Sequence, residues 1–204
     1  MSDHEHAAQA AGAPMSVEQL KTEVADGRID TVIVAITDMQ GRLQGKRVHA
    51  PYFVEHVLPH GTEGCNYLLA VDVDMNTVDG YRMSSWHSGY GDFVMAHDLG
   101  TLRRVPWHPA TAMVQADVTW LDGRDVVASP RQILKNQLAK LEARGITAMA
   151  GFEAEYMLVD KDENGKLVIA DPLDTAQAPC YDVKALSRSL EFLKTTSRYM
   201  NQLG

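Results

Sequence analysis

Two glutamates one residue apart are the strongest candidates for chemistry in this sequence. They lie in Gly151-Phe152-Glu153-Ala154-Glu155-Tyr156-Met157-Leu158. In a strand, alternate side chains share a face, so Glu153 and Glu155 would project the same way about 7 Å apart, with Phe152, Ala154 and Tyr156 on the opposite layer. Two unpaired carboxylates in a dry core would cost several kcal/mol, so their face must meet solvent, basic partners or metal. A solvated face satisfies the pattern. So does a metal site: hard cations such as magnesium and manganese take carboxylate oxygens, and adjacent acids can each serve one ion of a two-metal centre.

Other motifs carry less. Asp160-Lys161-Asp162-Glu163-Asn164-Gly165, with Asp171 at the twelfth position, imitates a calcium loop, but its flanks read as strands and Pro172 blocks an immediate helix. A polar hairpin turn is expected there. The histidines from His49 to His108 form no His-Glu-x-x-His metal pair on a helix, which points to packing or surface roles. Cys65 and Cys180 form no CxxC pair and read as reduced packing thiols. Arg103 and Arg104 read as a hydrated surface pair. Trp86 and Tyr90 would either line a site or bury their rings.

The elements that must position these residues follow from periodicity. Residues 1–15 have no periodic pattern and read as a mobile tail. Ser16 precedes a helix with Val17, Leu20 and Val24 on one face, and Glu18 and Gln19 suit its capped first turn. The β-branched run from Thr31 to Ile36, the turn residues Asp38-Met39-Gln40-Gly41 and the segment Arg42 to Val48 predict a β-hairpin. Pro51 to Leu58 reads as helix and Tyr67 to Val73 as strand. From Asp74 to Leu99 a long irregular loop holding Tyr81, Trp86, Tyr90 and Phe93 has the character of a binding loop.

Thr111 to Trp120 alternates apolar and polar residues as a strand. Ser129-Pro130 starts a helix with Leu134, Leu138 and Leu141 on one stripe and Gly145 as its terminator. A strand over Thr147–Val159 carries the two glutamates. Asp182 caps a last helix with Val183, Leu186, Leu190 and Leu193 at helical spacing.

Composition excludes several classes. Of 204 residues, 45% are apolar and 23% charged, which suits a packed globular chain. With 19 basic against 27 acidic residues the net charge is -8, a poor match for a phosphate backbone, so no nucleic-acid partner is expected. No apolar run approaches the roughly 20 residues that span a bilayer, so no membrane partner is expected either. The start of the chain, with Asp3, His4, Glu5 and His6, lacks the features of a signal peptide, and a cytoplasmic location is expected.

Four segments, in order, resemble the glutamine synthetase family. Gly151 to Leu158 is similar to its Gly-x-Glu-x-Glu-aromatic-x-Leu signature. Asp38 to Lys46 resembles an Asp-x-x-Gly-x-x-x-Gly-Lys stretch of its N-terminal domain. Asp92 to Asp98, followed by Thr101 to Trp107 and Thr111-Ala112, resembles its Asp-x-x-Thr-x-x-x-x-Pro-Trp stretch leading into the catalytic domain. The resemblance runs from about Val17 to Gly204. It implies an α+β chain: a β-grasp N-terminal domain over 16–110, then the beginning of the α/β catalytic domain over 111–204.

The resemblance also implies an activity. The family joins glutamate to ammonia or a small amine with ATP, through γ-glutamyl phosphate. Glu153 would bind the Mg2+ (or Mn2+) ion near the transferring phosphoryl group, and Glu155 the ion near glutamate and the amine. Ring-type homo-oligomers are expected of full-length members. The family's later ligands and arginines have no counterpart up to Gly204, so the chain reads as an N-terminal fragment inactive by itself. In ammonia-using bacterial members a Phe-Asp-Gly-Ser-Ser stretch presents an ammonium-binding Asp. Here Val71 to Gly80 lacks it, and Asp72 and Asp74 are candidates for that catalytic role or for ordinary turn capping. Two alternatives stand beside glutamine synthesis: a γ-glutamyl polyamine or monoamine synthetase, and a non-catalytic module that assembles with full-length subunits.

Overall fold

A computed structural model describes residues 14–87, 89–173 and 181–204, so most of the 1–15 tail and Cys180 lie outside the described residues. The chain divides into two compact units, one reaching to Ala148 and including Gln202–Gly204, the other Met149–Asn201.

The first unit begins with α1 (Val17–Ala25), closed by a reciprocal cap. The Ser16 hydroxyl accepts from the Gln19 N–H at 3.1 Å, and the Gln19 side chain accepts from the Ser16 N–H at 2.7 Å. Leu20 on its inner face is fully buried. The predicted hairpin is present as β1 (Thr31–Thr37) and β2 (Leu43–His49), antiparallel with Ala35 opposite Gly45. A helical stretch follows: α2 (Ala50–Tyr52), a π-helical turn (Phe53–Val57) and α3 (Leu58–His60), with Phe53 and Val57 buried.

Next come β3 (Thr62–Cys65), β4 (Asp92–His97), the two-residue β5 (Arg103–Arg104) and the long β6 (Thr111–Trp120). The mixed sheet runs β2-β1-β6-β4-β3, with β5 also on β6. β1 and β6 are parallel and the other pairs antiparallel. Alternate residues of the central strands, Val32, Val34 and Ile36 on β1 and Ala112, Val114, Ala116 and Val118 on β6, enter one core with Leu20, Phe53, Phe93 and Met95. Each large apolar side chain so buried is worth about 1.5–3 kcal/mol. Strand Thr111–Trp120 is thus central to a sheet whose other strands all precede residue 110.

Two expectations in this region are corrected. Tyr67 to Val73 is not a strand: Asn66–Leu69 is a 3-10 turn, and Val71 makes only an isolated bridge to Thr77. The strand lies just before it, in β3. The stretch Asp74 to Leu99 is not irregular throughout, because β4 lies within it, paired on both sides and burying Phe93 and Met95. Its alternation spans only two apolar in-facing residues, too short to stand out from the surrounding turn residues.

After β6, α4 (Pro130–Glu142) starts as expected, with Ser129 at the N-cap and Pro130 in the first turn, and Gly145 takes φ +70 just beyond it. Its attachment is polar. Arg131 donates to Asp117 at 2.8 Å and to Gln115 at 2.6 Å and also meets Asp98. On the leucine stripe of this helix Leu134 is 58% exposed and Leu138 43%.

In the second unit, the strand expected over Thr147–Val159 is not formed. Residues 147–158 have no regular structure, and only β7 (Val159–Lys161) pairs, with β8 (Leu167–Ile169). A strand persists where a neighbour takes up its backbone hydrogen bonds, and among the described residues no strand pairs with 147–158, where the Leu158 carbonyl, accepting from the Ala170 N–H at 3.0 Å, only prolongs the β7-β8 hairpin. The β7-β8 connection is the expected hairpin turn, with Asp162 accepting from the N–H groups of Asn164 and Lys166 at 2.9 Å each. Asp182 caps the next helix through the N–H groups of Lys184 and Ala185. That helix breaks at Ser189 into α5 (Val183–Arg188) and α6 (Leu190–Leu203).

Candidate functional site

The acidic turn that follows Val71 is held by the tip of the β1-β2 hairpin. Its foundation is Asp38, whose side chain is fully buried and whose acceptor positions are filled. One oxygen accepts from the N–H groups of Gln40 and Arg42, each at 2.9 Å. The other accepts from Arg42 Nε at 2.8 Å and from the Gln44 amide at 3.0 Å. Burial pushes the Asp38 carboxyl up, but these donors outweigh it and hold it below the ordinary carboxylate range. The Arg42 guanidinium then reaches across to the carbonyls of Val73 at 2.6 Å and Asp72 at 2.9 Å, while the Gln40 amide donates to the carbonyl of Val71 at 2.8 Å. Three successive carbonyls of the turn are therefore gripped by two side chains.

Within the turn, Asp72 is a capping residue. Its Oδ1 accepts from the N–H groups of Asp74 and Asn76 at 2.9 Å each, and Oδ2 accepts from the Asn76 amide at 3.1 Å. The Asn76 bonds, with the Arg42 charge a smaller influence, hold the Asp72 carboxyl below its ordinary value. It can attract a cation, but its lowered pKa makes it a weak proton acceptor. The Asp74 carboxylate is exposed and makes no hydrogen bond among the described residues. Tyr81 and Trp86 further along the loop are also exposed, and Trp86 stacks edge-on against Tyr90 with ring centroids 5.2 Å apart.

Glu153 and Glu155 belong to the second unit, Asp72 and Asp74 to the first. Both glutamates are exposed on the unpaired segment before β7. Nearby, Tyr156 packs edge-on against Phe192 of α6, with centroids 5.7 Å apart. Two carboxylates are the right donor type for magnesium or manganese. Among the described residues, however, no group of three His, Cys, Asp or Glu is gathered. The glutamates therefore fit a divalent ion in kind but do not form a metal centre with the described residues alone.

The residues that shape the turn, Asp38, Gln40, Arg42 and Gln44, were visible in the sequence only as a motif. Asp38-x-x-Gly41 is the signal that could have found them, since an Asp that begins a tight turn accepts from N–H groups two and four residues on. The reach of Arg42 to residues 72 and 73 is not encoded locally.

Comparison with known proteins supplies the class. Residues 127–204 match the glutamine synthetase catalytic domain. The chain is 61% identical over 145 residues to the gamma-glutamylethanolamide synthetase of Streptomyces coelicolor, covering 71% of this chain and 31% of that protein. It is 32% identical over 182 residues to a glutamate–isopropylamine ligase of a Pseudomonas species, covering 86% and 39%. With the glutamate–methylamine ligase of Methyloversatilis universalis it shares 31% over 191 residues, covering 93% and 40%. The solved structure of GmaS without ligand aligns at a TM-score of 0.65 and 24% identity over 90% of this chain and 39% of that one, a likeness of fold. The chain belongs to the glutamine synthetase family, and it spans between 31% and 40% of the length of these curated relatives. No helix among the described residues is long and apolar enough to cross a membrane.

Proposed function

We propose that this chain is part of an ATP-dependent ligase that joins the γ-carboxyl of glutamate to a small primary amine larger than ammonia. The observation that carries this is the 61% identity to a gamma-glutamylethanolamide synthetase, beside lower identities to isopropylamine and methylamine ligases. A carboxylate is a poor acyl donor. Its oxygen attacks the terminal phosphorus of ATP and ADP leaves; the amine nitrogen then attacks the γ-carbon, phosphate leaves, and the nitrogen loses a proton to a base. Glu153 and Glu155 are proposed as ligands of Mg2+ or Mn2+, which neutralises phosphate charge when bound, with further donors that the described residues do not supply.

The turn from Asp72 to Gly80 is proposed as the amine-selecting element. A site selective for ammonium needs a close carboxylate both to attract the cation and to take a proton. Of the two candidates, Asp72 is committed to its own turn and is weakly basic, which leaves Asp74. An amine with apolar carbons gains from exposed rings such as Tyr81 and Trp86, at about 0.8 kcal/mol per buried methylene.

The strand order β2-β1-β6-β4-β3 with β1 parallel to β6 supports a β-grasp reading of the first domain. We take that domain from residue 16 and carry it past 110 to include Thr111–Trp120, with the catalytic domain after it. A homo-oligomer and a cytoplasmic location accompany this function. The test is a panel of ammonia, methylamine, ethylamine, ethanolamine, isopropylamine, putrescine and spermine with the full-length protein. A substituted amine is expected to show the highest kcat/KM. A clear preference for ammonia, unchanged in Asp72→Ala and Asp74→Ala variants, would return the protein to ordinary glutamine synthesis.

A further inference from the structure

We infer that Arg42 is a positioning residue for amine choice: anchored on buried Asp38, it holds the carbonyls of Asp72 and Val73 and so fixes where the Asp72–Asn76 turn presents its carboxylates. This rests on the proposed role of that turn in selecting the amine.

The turn has little else to hold it. Its own bonds, from Asp72 to Asp74 and Asn76, close it on itself without tying it to the sheet. Its outer residues give no apolar anchorage, since Val73 is 71% exposed and Met75 41%. Val71 is buried at its base, so the inner limb is packed and the outer limb is not. What spans that gap is the guanidinium, beside a single weak bond from the Gln44 amide on β2 to Met75 Sδ at 2.9 Å. Nε bonds Asp38 at 2.8 Å, Nη1 the Val73 carbonyl at 2.6 Å, and Nη2 the Asp72 carbonyl at 2.9 Å and the Gln40 side chain at 3.2 Å.

A planar fork bonded on both sides transmits position, because its nitrogens cannot move independently. The far side is fixed: the Asp38 carboxylate is buried in the hairpin that forms the centre and edge of the sheet. Lysine at position 42 would keep the charge and reach one acceptor, but it could not bridge Asp38 and two carbonyls at once. A displacement of about 1 Å in a group that faces the attacking amine is enough to change rates by an order of magnitude or more.

The experiment uses the full-length protein with Arg42→Lys, Asp74→Ala and, as a surface-arginine control, Arg124→Lys, whose ion pair with Asp122 lies on an exposed turn. Measured are kcat/KM for ethanolamine, methylamine and ammonia, KM for glutamate, Tm, and amide hydrogen exchange over residues 71–77. For Arg42→Lys the expected result is a ratio of ethanolamine to ammonia kcat/KM changed about tenfold, glutamate KM unchanged, and faster exchange at the 74 and 76 amides; Arg124→Lys changes none of these. A ratio moved by Asp74→Ala but not by Arg42→Lys overturns the role of Arg42 and leaves the selecting turn intact. A ratio moved by neither overturns both. A moved ratio without faster exchange means that Arg42 acts on the amine directly, which also overturns positioning. Should Arg42→Lys fail to fold, Gln40→Met removes the grip on Val71 and the Gln40 acceptor of Arg42 Nη2 while leaving the guanidinium in place; a smaller ratio change is expected, and an unmoved ratio counts against the inference.

Discussion

A carboxylate whose acceptor positions are all filled by protein donors cannot also serve a substrate, and this separates Asp38 from Asp74, Glu153 and Glu155, with Asp72 between them because its Oδ2 accepts from the Asn76 amide alone. Asp38 has four donors on two oxygens and no exposure. Its folded pKa lies below the unfolded one, so its contribution to stability is complete above the ordinary carboxylate range and is lost as pH falls through the folded value. Asp38→Asn keeps the shape and removes the charge beside Arg42, and it should cost about 3 kcal/mol at neutral pH. It should also flatten the loss of stability on acidification below about pH 4. Denaturant unfolding of both proteins between pH 3 and 7 checks this; parallel profiles would mean that Asp38 does not drive the acid limb. At this scale the sequence was legible as residue types. Asp38-x-x-Gly41 could be read as a turn and Glu153-x-Glu155 as a pair of acids, but that Arg42 carries the hold of Asp38 to a turn about thirty residues away is not written in either motif.

At the scale of elements, legibility followed locality. Helix α1 with its Ser16 cap, the β1-β2 hairpin, strand β6 and the start of α4 at Ser129-Pro130 each carry their signal within a few residues, and each is found where the pattern places it. Of the strand expected over Thr147–Val159 only Val159 is paired, because the alternation is real while no strand among the described residues pairs with 147–158. Gly45 shows the converse, a constraint that no local pattern announces. It stands opposite Ala35 in β2 with φ +157, and a Cβ there would come within 1.9 Å of the Val34 carbonyl oxygen and 2.9 Å of its carbon. Both are backbone atoms of the central strand and cannot rotate aside. Gly45→Ala should therefore push β2 away from β1 and cost roughly 2–4 kcal/mol. Because the same hairpin carries Arg42 and Gln44, faster amide exchange in the 71–77 turn should accompany the drop in Tm. Wild-type stability in this variant would show that the hairpin absorbs a side chain at its closest approach.

For the molecule as a whole, the first unit has a closed core and the second exposes much of its apolar surface, with Phe152 at 98% and Met157 at 71%. The exposed stripe of α4, the unpaired glutamate segment and the absence of a three-ligand cluster among the described residues concern the same region, the one that matches the family's catalytic domain. Phosphoryl transfer is catalysed almost entirely by positioning and charge stabilisation, so two exposed carboxylates without further donors supply little of either. The purified 204-residue chain should consequently release no ADP in response to glutamate and amine. In the full-length protein Glu153→Ala and Glu155→Ala should each abolish ligation with Tm unchanged, because there the carboxylates would act with the remaining ligands. The two measurements bracket the assignment. Glutamate-dependent ADP release by the 204-residue chain, removed by Glu153→Ala, would show that this segment assembles a working site by itself. Near-normal turnover of both full-length variants at saturating magnesium would show that the paired glutamates are a solvated face after all.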